Sequence, residues 1–254
     1  MIGVVVPVHN EEACLAACLE ALTRAATCAQ LCGEAVCIVI VLDACSDRSQ
    51  RIVLAHAMQA DARWRLDCIA VEARNVGAAR AAGASLLLER GARWLAFTDA
   101  DTCVAPDWLC MQLTQKADAV CGTIAVDDWS PHADHASALR EHFARTYTDC
   151  DGHRHIHGAN FGVCARAYLR AGGFAPLACS EDVALVAALQ ASGARIAWSA
   201  APRVTTSARR DAKARGGFGD TLLQVVGAMG VAEVIEGLVA STVTGQALGA
   251  QGAV

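Results

Sequence analysis

Short apolar segments alternate with helical patterns along most of the chain, and this alternation limits the fold more than any other feature. Apolar runs that fit buried strands lie at residues 2–6, 36–42, 66–71, 94–97, 119–126 and 196–198. Segments with helical character lie at residues 11–26, 49–61, 76–89, 107–116, 136–147, 165–171 and 181–191. Strands separated by helices are typical of a parallel sheet. The pattern therefore predicts an α/β fold with a mostly parallel central sheet.

Polar residues follow four of the predicted strands, at the point where each strand ends. They are His9-Asn10-Glu11-Glu12, Asp43, Arg74-Asn75, and Asp99 with Asp101. In parallel α/β sheets, ligands bind beyond the carboxyl ends of the strands. The sequence therefore predicts a binding site along this edge of the sheet.

The two aspartates after residues 94–97 are the strongest chemical signal. Side chains two residues apart in a strand point to the same side, so Asp99 and Asp101 are predicted to converge at the strand end. Two close carboxylates favour a cation between them. Mg²⁺ and Mn²⁺ take one or two carboxylates and leave other positions for substrate phosphates. A polar turn followed by a helix cap is the structural alternative, because short acidic motifs recur by chance.

Composition excludes several classes of protein. With 254 residues, one large domain fits the chain, and a net charge of -5 argues against a nucleic-acid partner. No uncharged apolar stretch reaches the ~20 residues needed to span a bilayer. Residues 225–243 come closest, but Glu233 and Glu236 interrupt them.

The cysteine pattern predicts reduced thiols in a cytoplasmic protein. There are 13 cysteines, an odd number in a large chain, and residues 1–8 lack the basic segment and cleavage site of a signal peptide. No Cys-x-x-Cys occurs, so a structural zinc site is not expected.

Two later regions differ in character from the predicted sheet. Residues 127–158 are polar, and we interpret them as a variable substrate loop and helix; their six histidines fit a solvent-exposed segment better than a metal cluster. Residues 216–219 form a glycine-rich hinge before an amphipathic helix at about 220–239. This helix is expected to pack on the domain core; peripheral membrane contact and a homodimer are the alternatives.

Six segments, in order, resemble those of family 2 glycosyltransferases with the GT-A fold. They are residues 4–12, Asp43-Ala44-Cys45-Ser46-Asp47, residues 74–83, Asp99-Ala100-Asp101, Gly158-Ala159-Asn160 with Gly172-Gly173-Phe174, and Glu181-Asp182. The resemblance covers residues 2–207. It implies a Rossmann-like three-layer α/β/α GT-A domain at 1–215, with a nucleotide-binding half at about 1–101 and an acceptor-side half at about 102–215. Residues 216–254 would be a C-terminal helix and tail.

The resemblance also implies roles for individual residues. Nucleotide and donor contacts would come from Pro7, Asn10, Glu12, Asp43, Arg74, Asn75, Gly77 and Asp99. The acceptor side would contain Gly158, Ala159, Asn160 and Glu181. Asp101, together with Asp99, would bind a divalent Mn or Mg ion that bridges the two phosphates, and Asp182 would be the catalytic base.

Ordinary structural roles compete with several of these assignments. Asn10 fits the N-cap of a helix at 11–26, and Glu12 fits an acid in that helix's first turn. Asp43 fits a cap as well, and Gly77 fits a close backbone approach. The pair of acids at residues 181–182 is also what the helix dipole favours at a helix start.

The predicted function is metal-dependent, inverting transfer of a single sugar from a nucleotide-diphosphate sugar, with UDP as the expected nucleotide. The processive Gln-x-x-Arg-Trp segment is absent, and residues 204–207 replace the late metal-binding histidine of some relatives. The acceptor would be a glycan, lipid or small molecule, selected by residues 127–160. A sugar-phosphate nucleotidyltransferase and an inactive nucleotide-sugar-binding module are the alternatives.

Overall fold

The computed structural model describes residues 1–61, 63–177, 179–210, 219–220 and 222–227. Two compact units divide the chain. The first contains Met1–Asp128 and Tyr147–Ser207, and the second contains Trp129–Thr146. All of the predicted site residues belong to the first unit. Most of the predicted amphipathic helix at about 220–239 lies outside the described residues. In the part of this region that the structure describes, residues 219–220 and 222–227 are helical.

Nine strands in the described residues form two sheets. The strands are β1 (Ile2–Val8), β2 (Val36–Asp43), β3 (Trp64–Val71), β4 (Trp94–Phe97), β5 (Thr102–Val104), β6 (Ala119–Gly122), β7 (Phe161–Cys164), β8 (Ile196–Ser199) and β9 (Val204–Thr206). Seven of them make a sheet of order β3-β2-β1-β4-β7-β6-β8, and β5 pairs with β9 in a small sheet. Strand β7 is antiparallel to both of its neighbours, and the other large-sheet pairs are parallel. The predicted α/β class and mostly parallel sheet are therefore confirmed.

Seven α-helices connect these strands within the described residues. They are α1 (Leu15–Ala26), α2 (Ser49–Ala57), α3 (Val76–Glu89), α4 (Trp108–Thr114), α5 (Ala136–Thr146), α6 (Ala165–Arg170) and α7 (Glu181–Ala191). Helix α3 lies close against the sheet because its buried face carries small residues. A Cβ added to Gly83 would come within 2.6 Å of Val5 Cγ1 and 2.9 Å of Val41 Cγ2.

Several predicted boundaries of helices and strands were wrong. Helix α1 begins at Leu15 rather than 11, with Cys14 in the N-cap position, and Asn10 has a left-handed φ of 54°. Helix α2 ends at Ala57, four residues before the predicted end, and β6 ends at Gly122. The small β5–β9 sheet was not predicted, since three-residue strands carry little periodicity.

Candidate functional site

The loops after β1 and β2 are held together by side chains from the first loop. Asn10 Oδ1 accepts hydrogen bonds from the N–H groups of Ser46 at 2.8 Å and Asp47 at 3.3 Å. The Glu12 carboxylate accepts from the backbone and guanidinium of Arg48 at 2.9 and 3.1 Å. These bonds lower the pKa of Glu12. Asn10 and Glu12 therefore shape the loop pair, and the proposed N-cap role of Asn10 is wrong.

Asp43, at the end of β2, fixes the start of α3. Its two carboxylate oxygens accept from the backbone N–H groups of Arg74 at 2.7 Å and Asn75 at 2.8 Å, and the residue is 5% exposed. Arg74 has a φ of 47°, a left-handed conformation that these bonds stabilise. Asn75 then caps α3, because its side-chain oxygen accepts from Ala78 N–H at 2.9 Å.

The first turn of α3 is closely covered by the segment before α7. A Cβ added to Gly77 would lie 2.2 Å from the carbonyl oxygen of Ala175 and 3.1 Å from Glu181 Cβ. The Asn75 amide also donates to the carbonyl of Pro176 at 3.1 Å. Gly77 thus provides the close approach that brings the first turn of α3 against the start of α7.

Arg80, on the buried face of α3, joins the two acidic motifs. Its side chain is 3% exposed; one terminal nitrogen donates to Asp99 Oδ1 at 2.5 Å and the other to Glu181 Oε1. Burial raises the pKa of Glu181, and the Arg80 charge opposes that shift. A buried arginine needs such carboxylate partners, since an unpaired charge in the interior is very costly.

Sequence reasoning missed Arg80, although a signal was present. Position 80 shares the buried face of α3 with Gly77, Ala84 and Leu87. A charge among small and apolar residues at helical spacing predicts a buried acid opposite it. The resemblance of residues 74–83 to a family 2 segment implied no role for Arg80.

Asp182 and Gly158 meet beside this ion network. The N–H of Gly158 donates to Asp182 Oδ2 at 2.8 Å, and the N–H of Val183 donates to Asp182 Oδ1 at 2.8 Å. A Cβ added to Gly158 would lie 2.1 Å from Arg80 Nη1. Asp99, Glu181 and Gly158 thus lie around one arginine, and Asp182 is bonded to Gly158.

Asn160, in contrast, is part of the framework. It is 1% exposed; its Oδ1 accepts from Trp108 Nε1 at 2.9 Å, and its amide donates to the carbonyls of Thr123 at 2.7 Å and Pro202 at 2.8 Å. Ala159 beside it is 7% exposed. Both hydrogens of the Asn160 amide are used, so its geometry favours support of the site over contact with an acceptor.

The acidic pair lies in a turn and not on a strand. Strand β4 ends at Phe97, and the N–H of Thr102 donates to the carbonyl of Asp99 at 3.2 Å across the turn. The strand-alternation argument for convergence of Asp99 and Asp101 was therefore wrong. Asp101 Oδ1 accepts from the hydroxyl of Thr102 at 3.3 Å, and that hydroxyl also lies 2.9 Å from Thr206 Oγ1 on β9.

No group of three or more His, Cys, Asp or Glu side chains within the described residues is arranged to hold a metal ion. A Mg²⁺ or Mn²⁺ ion bound with nucleotide phosphates requires only one or two carboxylates from the protein. Asp99 and Asp101, which share one turn, supply that number of carboxylates. Asp99 also has Arg80 as a cationic partner.

The sequence model of glycosyl transferase family 2 matches residues 3–170, most of the chain. The chain belongs to this family. The family resemblance and the glycosyltransferase class expected from the sequence are thereby confirmed. The family match includes the two strand-end loops, Arg80, the acidic turn and Gly158, and it ends before α7. No curated protein matches the chain in sequence.

Solved structures share the GT-A fold with this family 2 chain. Staphylococcus aureus TarS 1–349 in complex with UDP has a TM-score of 0.57 and 13% identity, over 82% of this chain and 60% of that one. The mannosyltransferase PcManGT from Pyrobaculum calidifontis, in complex with GDP-Man and Mn²⁺, has a TM-score of 0.56 and 18% identity, over 84% and 58%. GalNAc-T7 with UDP, GalNAc and Mn²⁺ has a TM-score of 0.59 and 14% identity, over 82% and 44%. The chain thus covers at most 60% of these three proteins.

The helices of this family 2 chain are short. Within the described ranges, none combines the length and apolar character needed to cross a bilayer. The longest of α1 to α7 is α3, with 14 residues.

Proposed function

We propose that this chain transfers a single sugar from a nucleotide-diphosphate sugar to an acceptor hydroxyl, with UDP as the expected nucleotide. One observation carries the proposal. A single buried arginine, Arg80, bonds the acidic turn through Asp99 and the start of α7 through Glu181. Because Gly158 packs on the same guanidinium and bonds Asp182, donor-side and acceptor-side groups form one connected site.

The donor side must stabilise a nucleoside diphosphate leaving group. Negative charge grows on that group as the sugar–oxygen bond breaks, so cations near it lower the barrier. A divalent ion supplies this charge when bound, and Asp101 with Asp99 would hold it. The Asp43 bonds to Arg74 and Asn75 set the loop that precedes α3. Pro7, Asn10 and Glu12 belong to the end of the neighbouring strand β1 and the loop after it. These residues are proposed to form the nucleotide pocket, Asn10 and Glu12 by shaping its loops.

The acceptor side must remove a proton from a hydroxyl. Asp182 is the proposed base; such a group contributes about 10²–10⁴-fold to the rate. The N–H groups of Gly158 and Val183 orient its carboxylate. Glu181 is held by Arg80 and serves to position the start of α7. Attack by the activated hydroxyl opposite the leaving group would invert the anomeric carbon.

The proposed enzyme and its two alternatives release different products. The chain would be incubated with Mn²⁺ and a panel of UDP- and GDP-sugars, and nucleoside diphosphate and pyrophosphate would be measured separately. Slow release of UDP or GDP by transfer to water, accelerated by the correct acceptor, supports the proposal. Pyrophosphate formed from a sugar phosphate and a nucleoside triphosphate would indicate a nucleotidyltransferase. Binding without any release, for every acceptor tried, would indicate an inactive module.

A further inference from the structure

Three histidines occupy alternate positions in the extended segment that leads to Gly158. The ring centroids of His153 and His155 are 5.5 Å apart, and those of His155 and His157 are 5.9 Å apart. Tyr147 stacks on His155 at 4.1 Å with an interplanar angle of 10°. The sequence favoured solvent-exposed histidines here, and this was wrong for His153, which is 3% exposed. We call His153, His155, His157 and Tyr147 the histidine stack.

Hydrogen bonding identifies two of the rings as neutral. The N–H of Thr148 donates to His155 Nε2 at 3.1 Å, and the N–H of His155 donates to His153 Nδ1 at 3.1 Å. A backbone N–H can only donate, so each of these ring nitrogens carries no proton. Protonation of either ring would place two hydrogens between the bonded nitrogens and break the bond.

His157 contacts the Tyr147 hydroxyl within the stack. The N–H of Ile124 donates to the hydroxyl oxygen of Tyr147 at 2.8 Å, and that hydroxyl lies 3.0 Å from His157 Nε2. The Tyr147 hydroxyl can donate to His157 Nε2 or accept from it, depending on which nitrogen of the ring carries the proton.

The charged groups around the stack are Asp149, Asp151, Arg154 and Arg203. Both acids have other partners: Asp149 bonds Thr123 and Arg203, and Asp151 bonds Ser199 and the N–H of Ala200. Arg154 lies over the Trp198 ring at 5.0 Å, and that ring packs edge-on against His153. Burial lowers the pKa of His155 and lowers the pKa of His157 to about 4, and the neighbouring histidines act in the same direction.

We propose that the neutral histidine stack is a positioning element for Asp182, and that acid inactivates the enzyme by disassembling it. His157 directly precedes Gly158, whose N–H bonds Asp182 and whose Cα lies against Arg80. When His153 or His155 is protonated, its accepted bond is lost, and protonation of more than one ring builds up like charge among the three. Gly158 then moves away from Asp182. The inference rests on the proposed function in one respect, the role of Asp182.

The first test is the pH dependence of turnover, measured as UDP release from the donor sugar. In wild type, kcat should fall on the acid side more steeply than a single proton allows, while the KM of the donor stays nearly constant. His157→Gln keeps a hydrogen-bonding side chain but does not titrate, so its kcat should persist to lower pH and fall less steeply than that of wild type. His157→Phe removes the hydrogen-bonding partner of Tyr147 and should lose kcat at least tenfold at every pH. His142→Gln, on α5 in the other unit, is the matched control and should follow wild type. An acid limb that is identical in wild type and His157→Gln would overturn the proposal.

The second test does not depend on catalysis. A histidine whose pKa is lowered in the folded state stabilises the fold fully above its unfolded pKa of 6.5, and this stabilisation is lost as pH falls toward the folded pKa of about 4. The melting temperature of wild type should therefore fall between these values more than that of the variant carrying His153→Asn, His155→Gln and His157→Gln. Equal falls in the melting temperature of the two proteins would contradict the proposed role of the histidine stack, even if sugar transfer is established. A larger fall in wild type, in a protein that shows no sugar transfer, would support the histidine stack as a pH-sensitive element and contradict only the proposed function.

Discussion

The backbone N–H of Gly158 donates a hydrogen bond of 2.8 Å to the carboxylate of Asp182. The same glycine leaves no room for a side chain, because a Cβ would lie 2.1 Å from Arg80 Nη1. One residue without a side chain therefore connects the proposed base to the arginine that holds the acidic turn. The geometry of the proposed site therefore depends on this contact.

Replacement of Gly158 by alanine should disrupt this connection. The new methyl group would displace the Arg80 guanidinium, which cannot move far while it bonds Asp99 and Glu181. We expect a loss of turnover of at least tenfold, measured as UDP release. Gly227→Ala is the control, since its Cβ would meet nothing within 4 Å among the described residues. Full turnover in Gly158→Ala would show that the contact is not needed.

Arg80→Gln should destabilise the fold. Glu181 is 5% exposed and would lose its cation, and removal of one partner from a buried ion pair costs about 3–5 kcal/mol. Urea unfolding measures the change in free energy. Arg93→Gln breaks the more exposed pair with Glu34 and should cost about 1 kcal/mol or less. Arg80→Lys keeps the charge but not the two-sided contact, so it should fold and turn over slowly. Equal stability of the two glutamine variants would contradict the assigned role of Arg80.

The regular elements were the most predictable part of the molecule. The bounds of α3, β4 and α7 follow directly from periodicity and from the residues at their ends. Loop residues were less predictable, because their roles depend on partners that are distant in sequence. Asn10 bonds residues 36 and 37 positions away, and Arg80 bonds Glu181 at a separation of 101. Periodicity along one segment can indicate that a charged residue is buried, but it does not identify the distant residue that it bonds.

Asp43→Asn should weaken both the fold and nucleotide binding. An amide has one accepting oxygen, so one of the two N–H groups that Asp43 binds would face an NH₂ group instead. An unsatisfied buried donor costs about 1–3 kcal/mol. The free energy of unfolding and the Kd for UDP measure the two effects. Asp61→Asn, at an exposed turn, should change neither. A Kd for UDP that stays at the wild-type value in Asp43→Asn would remove this residue from the nucleotide pocket.

Nucleotide binding should require a divalent ion. Calorimetry with Mn²⁺ should detect UDP, and excess EDTA should weaken the affinity at least tenfold. Asp101→Asn should weaken binding more than Asp99→Asn does, because Asp101 is the main metal ligand that we propose and the amide oxygen introduced by Asp99→Asn can keep the contact with Arg80. Equal affinity for UDP with and without EDTA would contradict the metal assignment.

The most direct test of the central claim compares Asp182→Asn with Asp101→Asn in turnover and in UDP affinity. Asparagine accepts hydrogen bonds from Gly158 and Val183 through one oxygen only and cannot take a proton from the acceptor. A base acts in the transition state, so Asp182→Asn should lose about 10²-fold in turnover and bind UDP nearly as wild type does. Asp101→Asn should lose both. The melting temperature serves as the control for folding. If Asp182→Asn keeps more than about a tenth of wild-type turnover, against the ~10²-fold loss expected for a base, Asp182 is not the catalytic base.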